Sequence, residues 1–234
     1  MPEFMPLALS AIHQKHLEMG ATLEEIDGWK RPLRYTTLED ETQHVREGVG
    51  ICDTSPVGKL NVQGAGLVSF LRKIFPRGDV VEILRVQRRL IGRNLDRTEL
   101  WLARLADDEM LLLTKPGGLS KVKERFTSKP VECVHMVDVS SGLASVTAVG
   151  LMARELLGRM TELDARDKAF PNMSCVQVKF AEIYSIVLRR DLGGMFGYEL
   201  YFEREYGEYI WDTLLHEKDL CVVPFGVETL EFLS

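Results

Sequence analysis

The sequence predicts an α+β protein of two halves, each a sheet with helices on one face. Three observations predict it. Short β-rich runs recur through all 234 residues and alternate with amphipathic helical patterns. Two segments read alike: Leu60–Ile74 (LNVQGAGLVSFLRKI) and Val146–Met160 (VTAVGLMARELLGRM) each run strand, glycine, amphipathic helix. Their glycines, Gly64 and Gly150, stand 86 positions apart, as do Leu71 and Leu157. The pair hints at two related units, although any strand–turn–helix shares this outline. Third, Tyr184–Glu203 (YSIVLRRDLGGMFGYELYFE) reads as two strands joined across Asp191-Leu192-Gly193-Gly194. Adjacent glycines there permit positive φ and let another chain segment or a flat ligand come close.

The elements follow in order. Leu9–Met19 reads as a helix with Ile12, His16 and Met19 near one face and Gly20 as its cap. Gly28–Pro32 reads as a loop, because Pro32 drives its predecessor out of helix. Thr37–Gly48 is a helix capped by Thr36 or Thr37, with Glu39, Asp40 and Glu41 at the positive end of its dipole. Val49–Ser55 and Lys59–Val62 are strand-like, Gly64–Ile74 is helical, and Val80–Leu84 is a short strand. Leu100–Leu105 and Met110–Leu113 flank Asp107-Asp108-Glu109, which predicts a hairpin. Pro116-Gly117-Gly118 breaks the chain before a helix over Leu119–Phe126. Strands are expected at Val131–Val137, Leu143–Val149 and Ser174–Phe180, and helices at Leu151–Met160 and Gly207–His216. Cys221–Phe225 leads into the C-terminal segment.

Composition is that of an ordinary globular protein, 45% hydrophobic and 27% charged, long enough for one large domain or two small ones. The 29 basic and 35 acidic residues give a net charge of −6 without a long basic tract, so nucleic acid is not an expected partner. No run approaches the roughly 18 apolar residues of a membrane span. The opening MPEFMPLALSAIHQKH does not read as a secretory signal, and a cytoplasmic protein is expected. Cys52, Cys133, Cys175 and Cys221 are scattered, with no spacing that suggests a metal site. Each lies beside apolar residues and reads as a buried free thiol.

Ordered motifs fill the first 70 residues. His16-Leu-Glu-Met-Gly20-Ala21 precedes Gly28-Trp29-x-x-Pro32-x-x-Tyr35, then Glu41 and Val45-Arg46. Val49-Gly50-Ile51-x-Asp53-x-Ser55 and Gly58-Lys59-Leu60-x-Val62-x-Gly64 continue the series. In this order the motifs resemble the glycine cleavage T-protein (aminomethyltransferase) family. Gly197-Tyr198-Glu199 and Pro224-Phe225-Gly226 fall where that family has its GYE and PxG segments. The resemblance implies an aminomethyltransferase-like folate-binding fold with two α/β-sandwich, ferredoxin-like halves. It implies a discontinuous first domain (residues 1–55 and 138–234) and an inserted second domain (residues 56–137). The family's third, barrel-like domain is expected to be absent, although its folate site lies where three domains meet.

Carried over one residue at a time, the family's catalytic aspartate matches Asp96 in IGRNLDRTEL, and its pterin-binding glutamate matches Glu199. The second aspartate of the family's pair is Arg97, and one of its paired glycines is Arg93. Four other positions depart from the pattern: a tyrosine becomes Leu192, the glutamate of GYTGE becomes Met195, an asparagine becomes Thr114 and an arginine becomes Leu230.

The chemistry of the two retained carboxylates is specific. A pterin edge sets a 2-amino group beside a ring N–H, a fork shaped like guanidinium, which a carboxylate meets with two parallel hydrogen bonds. By strand alternation Glu199 points away from Tyr198 and Leu200, either into solvent or into a cavity where it would meet that fork. Asp96 either acts near the one-carbon acceptor nitrogen, by proton transfer or electrostatics, or caps local backbone beside Asn94. Arg97 and Arg93 would favour its ionised form. Arg88, Arg89, Arg189 and Arg190 either meet the acidic tail of a folate or lie on solvated strand faces. Trp29 reads as a packing residue and His16 as a hydrogen-bonded core histidine.

Two functional readings stay open. In one, the chain is an aminomethyltransferase-like enzyme: a group on a lipoylated carrier protein, or on another small-molecule one-carbon donor, passes to tetrahydrofolate, giving methylenetetrahydrofolate and ammonia. In the other, it is a catalytically inactive relative that binds folate or a protein partner and serves assembly or regulation. A homo-oligomer that completes the site is a third arrangement, with no role for nucleic acid, membrane or metal.

Overall fold

The computed structural model describes residues 7–92, 97–128 and 131–234. The chain opens with β1 (Ala8–Leu9), α1 (His13–Glu18), β2 (Thr22–Ile26) and β3 (Trp29–Arg34). The stretch expected to be a loop at Gly28–Pro32 is therefore strand. Asp27 and Gly28, at φ 54° and 77°, form the tight turn of a β2–β3 hairpin, a conformation that Asp-Gly favours. Pro32 is tolerated because β1 pairs only with Trp29 and Lys30, so the ladder on that side of β3 has ended before it. Next comes α2 (Leu38–Glu47), where the Thr37 hydroxyl accepts from the Asp40 N–H at 3.1 Å, the expected cap.

The first half takes β4 (Val49–Asp53), β10 (Leu143–Val149), β11 (Ser174–Phe180), β12 (Ile183–Arg189), β13 (Gly197–Glu203) and β14 (Val222–Pro224), in the order β14-β4-β10-β13-β12-β11. The second takes β5 (Gly58–Gln63), β6 (Arg85–Ile91), β7 (Thr98–Arg104), β8 (Glu109–Thr114) and β9 (His135–Asp138), in the order β6-β7-β8-β5-β9. The two are joined by a single β11–β6 pair, Ser174 opposite Arg85. The strand expected at Val80–Leu84 lies instead at β6: Leu84, at φ 59°, turns the chain just before it. The strand expected from Val131 begins only at His135.

Helices cover one face of each half. Ile12, which caps α1, Leu156 of α5 (Ala153–Met160) and Trp211 of α6 (Gly207–Leu215) enter a core shared with Val146, Leu200 and Phe202 of the first sheet. α3 (Leu67–Ile74) and α4 (Leu119–Thr127) place Phe70 and Phe126 on Leu60, Leu100 and Leu112 of the second. The two matched glycines play the same part in each half. Gly64 and Gly150, at φ 135° and 147°, lead from strand to helix. An added Cβ would fall 1.9 Å from the Cys133 carbonyl oxygen in one case and 2.2 Å from that of Gly48 in the other, so both places need glycine.

The uncovered sheet faces meet each other. Cys175, Leu188 and Tyr201 of the first half pack on Ala103, Leu111 and Leu113 of the second. This seam positions the candidate site. The final helix, α7 (Val227–Leu233), has no counterpart among the expected elements and packs against β3 and α2.

Candidate functional site at the seam between the halves

Alternation along β13 sends Tyr198, Leu200 and Phe202 into the helix-covered core and leaves Glu199 and Tyr201 facing the seam. Glu199 is 4% exposed, which overturns the solvated reading. Both its oxygens are engaged. Oε1 accepts from Arg190 Nε at 2.5 Å and also meets a terminal guanidinium nitrogen of Arg190; Oε2 accepts from the Tyr201 hydroxyl at 2.6 Å. Burial and the adjacent Glu199 charge push the Tyr201 phenol well above its ordinary pKa, so it stays a protonated donor. Burial disfavours the Arg190 cation, but Glu199 more than restores it, and its pKa lies above the ordinary arginine value.

An indole completes the cluster. The Arg190 guanidinium sits 4.3 Å from the ring centroid of Trp101, and that of Arg88 sits 5.8 Å away. Across the neighbouring strands, Thr147 and Leu188 stand opposite Glu199. The Thr147 hydroxyl is 3.1 Å from that of Thr54, which lies equally close to Ser145. A buried anion, a flat aromatic face and a row of hydroxyls thus share the seam.

The arginines divide. Arg189, next to Arg190 in sequence, points elsewhere: it is 3% exposed, pairs with Asp167 at 2.6 Å and Asp191 at 3.0 Å, and donates to the Phe170 carbonyl. Neither Arg189 nor Arg190 lies on a solvated strand face. Arg88 does, its side chain 60% exposed and paired with Glu99. Arg190 was expected at a folate tail or on a solvated face; the β12–β13 register, which pairs Arg189 with Tyr198, instead brings it level with the start of β13. Nothing in the sequence points to Trp101.

Asp96, with Arg93 and Asn94, lies outside the described residues. Three of the departing positions come together. Leu192, Met195 and Leu230 pack in one apolar cluster with Val45, Val149, Phe225 and Leu233, and Leu192 and Met195 exchange backbone hydrogen bonds of 3.0 and 2.9 Å. Thr114, 1% exposed, donates to the Glu99 carbonyl at 3.1 Å.

Other polar groups are structural. His16, fully buried, is hydrogen-bonded through Nε2 to Asp53 at 2.9 Å and through Nδ1 to the Tyr35 hydroxyl at 2.7 Å, the core role expected of it. Cys52 and Cys175 are buried, but Cys133 and Cys221 are exposed, which corrects the expectation of four buried thiols. Among the described residues no group of His, Cys, Asp and Glu could hold a metal ion, and no helix is long and apolar enough to cross a membrane.

Comparison with known proteins agrees with this architecture. Residues 12–234 match the model of the GCVT N-terminal domain. The chain is 27% identical over 247 residues to sarcosine oxidase subunit alpha of Corynebacterium sp. (strain U-96), covering 97% of this chain and 26% of that one. It is 28% identical over 227 residues to the aminomethyltransferase of Anoxybacillus flavithermus, covering 93% of this chain and 61% of that one. The chain therefore spans about three fifths of the aminomethyltransferase and a quarter of the oxidase subunit. The crystal structure of glycine cleavage system aminomethyltransferase T from Bartonella henselae superposes with a TM-score of 0.83 at 18% identity, over 97% of this chain and 62% of that one. The fold is thus the aminomethyltransferase-like one, and the chain belongs to the GCVT N-terminal domain family.

Proposed function

We propose that this chain is a folate-binding domain that serves tetrahydrofolate-dependent one-carbon transfer, in the manner of an aminomethyltransferase. The observation that carries the reading is Glu199, a buried carboxylate on the seam face whose partner Arg190 lies against an indole; the resemblance assigns this position to pterin binding. These residues fit a flat ring with an N–H fork. Glu199 would orient the ring, Tyr201 would hold the second carboxylate oxygen in place, and the seam would exclude water. Tetrahydrofolate supplies the nitrogen that accepts the one-carbon unit. Asp96 is the residue proposed to act beside that nitrogen, with a lipoylated carrier protein or another small-molecule donor delivering the unit. We place the domain boundaries at residues 1–55 with 138–234 and at 56–137, a division that the single pair joining the sheets supports. A cytoplasmic setting and assembly with partner proteins, or with a second copy, belong to the same reading; one relative is itself named as a subunit.

A second reading, a catalytically inactive relative, is favoured by the apolar cluster of Leu192, Met195 and Leu230. Calorimetric titration of tetrahydrofolate into wild type and Glu199→Gln, followed by assay of methylenetetrahydrofolate with carrier protein supplied, separates the two. Binding weakened by the substitution, with turnover lost in Asp96→Asn, supports the transferase. Binding without turnover supports the inactive relative. No binding in either protein, nor in Arg190→Ala, removes the folate reading.

A further inference from the structure

We infer that Arg190 is an internal stand-in for the ligand: in the free protein its guanidinium fills the ring seat formed by Glu199, Tyr201 and Trp101, and a bound pterin must displace it. The inference rests on the folate reading above.

The argument is one of shape and charge. A guanidinium is planar and presents parallel N–H donors, the same fork that the amino and ring N–H groups of a pterin present. Arg190 brings two of its nitrogens to one oxygen of Glu199, Oε1, and its guanidinium lies 4.3 Å from the Trp101 ring centroid, so it holds the anion and the aromatic face that a flat, fork-bearing ring would need. Tyr201 donates to the other oxygen, Oε2. With Arg190 in place, a ligand finds no unpaired oxygen on Glu199.

The arrangement can open. Arg190 follows the last residue of β12, and its backbone is pinned by the bond from its N–H to the Gly197 carbonyl at 2.8 Å. Its side chain is 26% exposed, whereas that of Glu199 is 5% exposed. The seat therefore reaches solvent on the arginine's side, and release needs only rotation of a long, flexible side chain. Glu199 stays behind, ordered by Tyr201. Such an arginine lowers the apparent affinity for ligand by the fraction of molecules in which it has swung out. It also rejects flat rings that lack a donor fork, since these would displace the guanidinium without replacing its hydrogen bonds.

The test is calorimetric titration of tetrahydrofolate into wild type, Arg190→Ala, Arg190→Lys, Glu199→Gln and the double variant Arg190→Ala/Glu199→Gln. The expected result is at least tenfold tighter binding by Arg190→Ala than by wild type, with the gain lost in the double variant. Arg190→Lys retains the charge without the planar fork and is expected to fall between; it serves as the second test of opening should the alanine variant fail to fold. Equal binding by wild type and both Arg190 variants, weakened in Glu199→Gln, would overturn the inference and leave the folate reading standing. Absence of binding by every variant would overturn both.

Discussion

The coupling between Glu199 and Arg190 is measurable without any ligand. Arg190→Leu leaves the Glu199 carboxylate buried with Tyr201 as its remaining donor, and stranding one member of a buried pair costs about 3–5 kcal/mol. Glu199→Gln strands the cation instead. Because 26% of the Arg190 side chain reaches solvent, water recovers part of that loss, and a cost of about 2 kcal/mol is expected. The double variant removes both charges, so its cost should fall below the sum of the single costs by about 2 kcal/mol, the coupling energy of the pair. Urea unfolding followed by far-UV circular dichroism gives each value. Since the pair is largely buried, the coupling should persist at high salt, where exposed pairs are screened. Single effects that add to within about 0.5 kcal/mol would refute the pairing, and with it the argument that Arg190 closes the seat.

Three further outcomes follow from buried groups elsewhere. Glu41, 1% exposed, accepts from the Tyr35 and Thr36 N–H groups, the Gly226 N–H and the Thr229 hydroxyl, tying the entry of α2 to that of α7. Glu41→Ala should cost about 3 kcal/mol or more and lower Tm by roughly 6 °C or more; a drop under about 2 °C would refute that role. Thiol titration of the native protein should modify Cys133 and Cys221 while sparing buried Cys52 and Cys175, the latter pushed up to about 12 by burial; rapid reaction at all four would contradict this. Lys59 is fully buried, bonded to the carbonyls of Ser55, Val57 and Ser140, and burial lowers its pKa to about 8. The unfolded lysine keeps its proton up to about pH 10.4, so between these values the unfolded state binds more protons and this group's contribution to stability rises with pH. Wild type should therefore gain about 2 kcal/mol on Lys59→Met between pH 7.5 and 9.5, and a gap that does not change would refute the shift.

Much of the fold was legible because its signals are local. Thr37 as a cap, the Asp107–Glu109 turn and the strand–glycine–helix pairs at Gly64 and Gly150 each show in a short window. The β2–β3 hairpin also had a local signal, Asp27-Gly28, but Pro32 outweighed it. A proline argues against strand only where both ladders continue past it, and that depends on where β1 stops. β6 was obscured by Arg85, Arg88 and Arg89, whose charges interrupt the apolar pattern although each finds a partner or solvent in the sheet. The site was half legible. Glu199 announced itself by position and alternation, but its burial depends on the other half of the molecule closing over β13. Trp101 meets Arg190 across a separation of almost ninety residues, and no periodicity encodes that contact.

Two regions that the resemblance singles out behave in physically distinct ways. Leu192, Met195 and Leu230, each partly buried, share one apolar cluster. A polar group placed at one of them would lose apolar packing yet keep some contact with solvent, so its cost should fall below the about 1–3 kcal/mol of a fully buried unpaired group. At Glu199 what covers the carboxylate is one flexible arginine with a solvent-facing side. Rotation of one side chain uncovers Glu199, whereas the apolar cluster alters only by repacking. Glu199, paired with Arg190 and Tyr201, has a structural role without any ligand, so what distinguishes a seat in use is that its cover can leave: Arg190 reaches solvent and Glu199 does not, and the Arg190 variants read that difference directly.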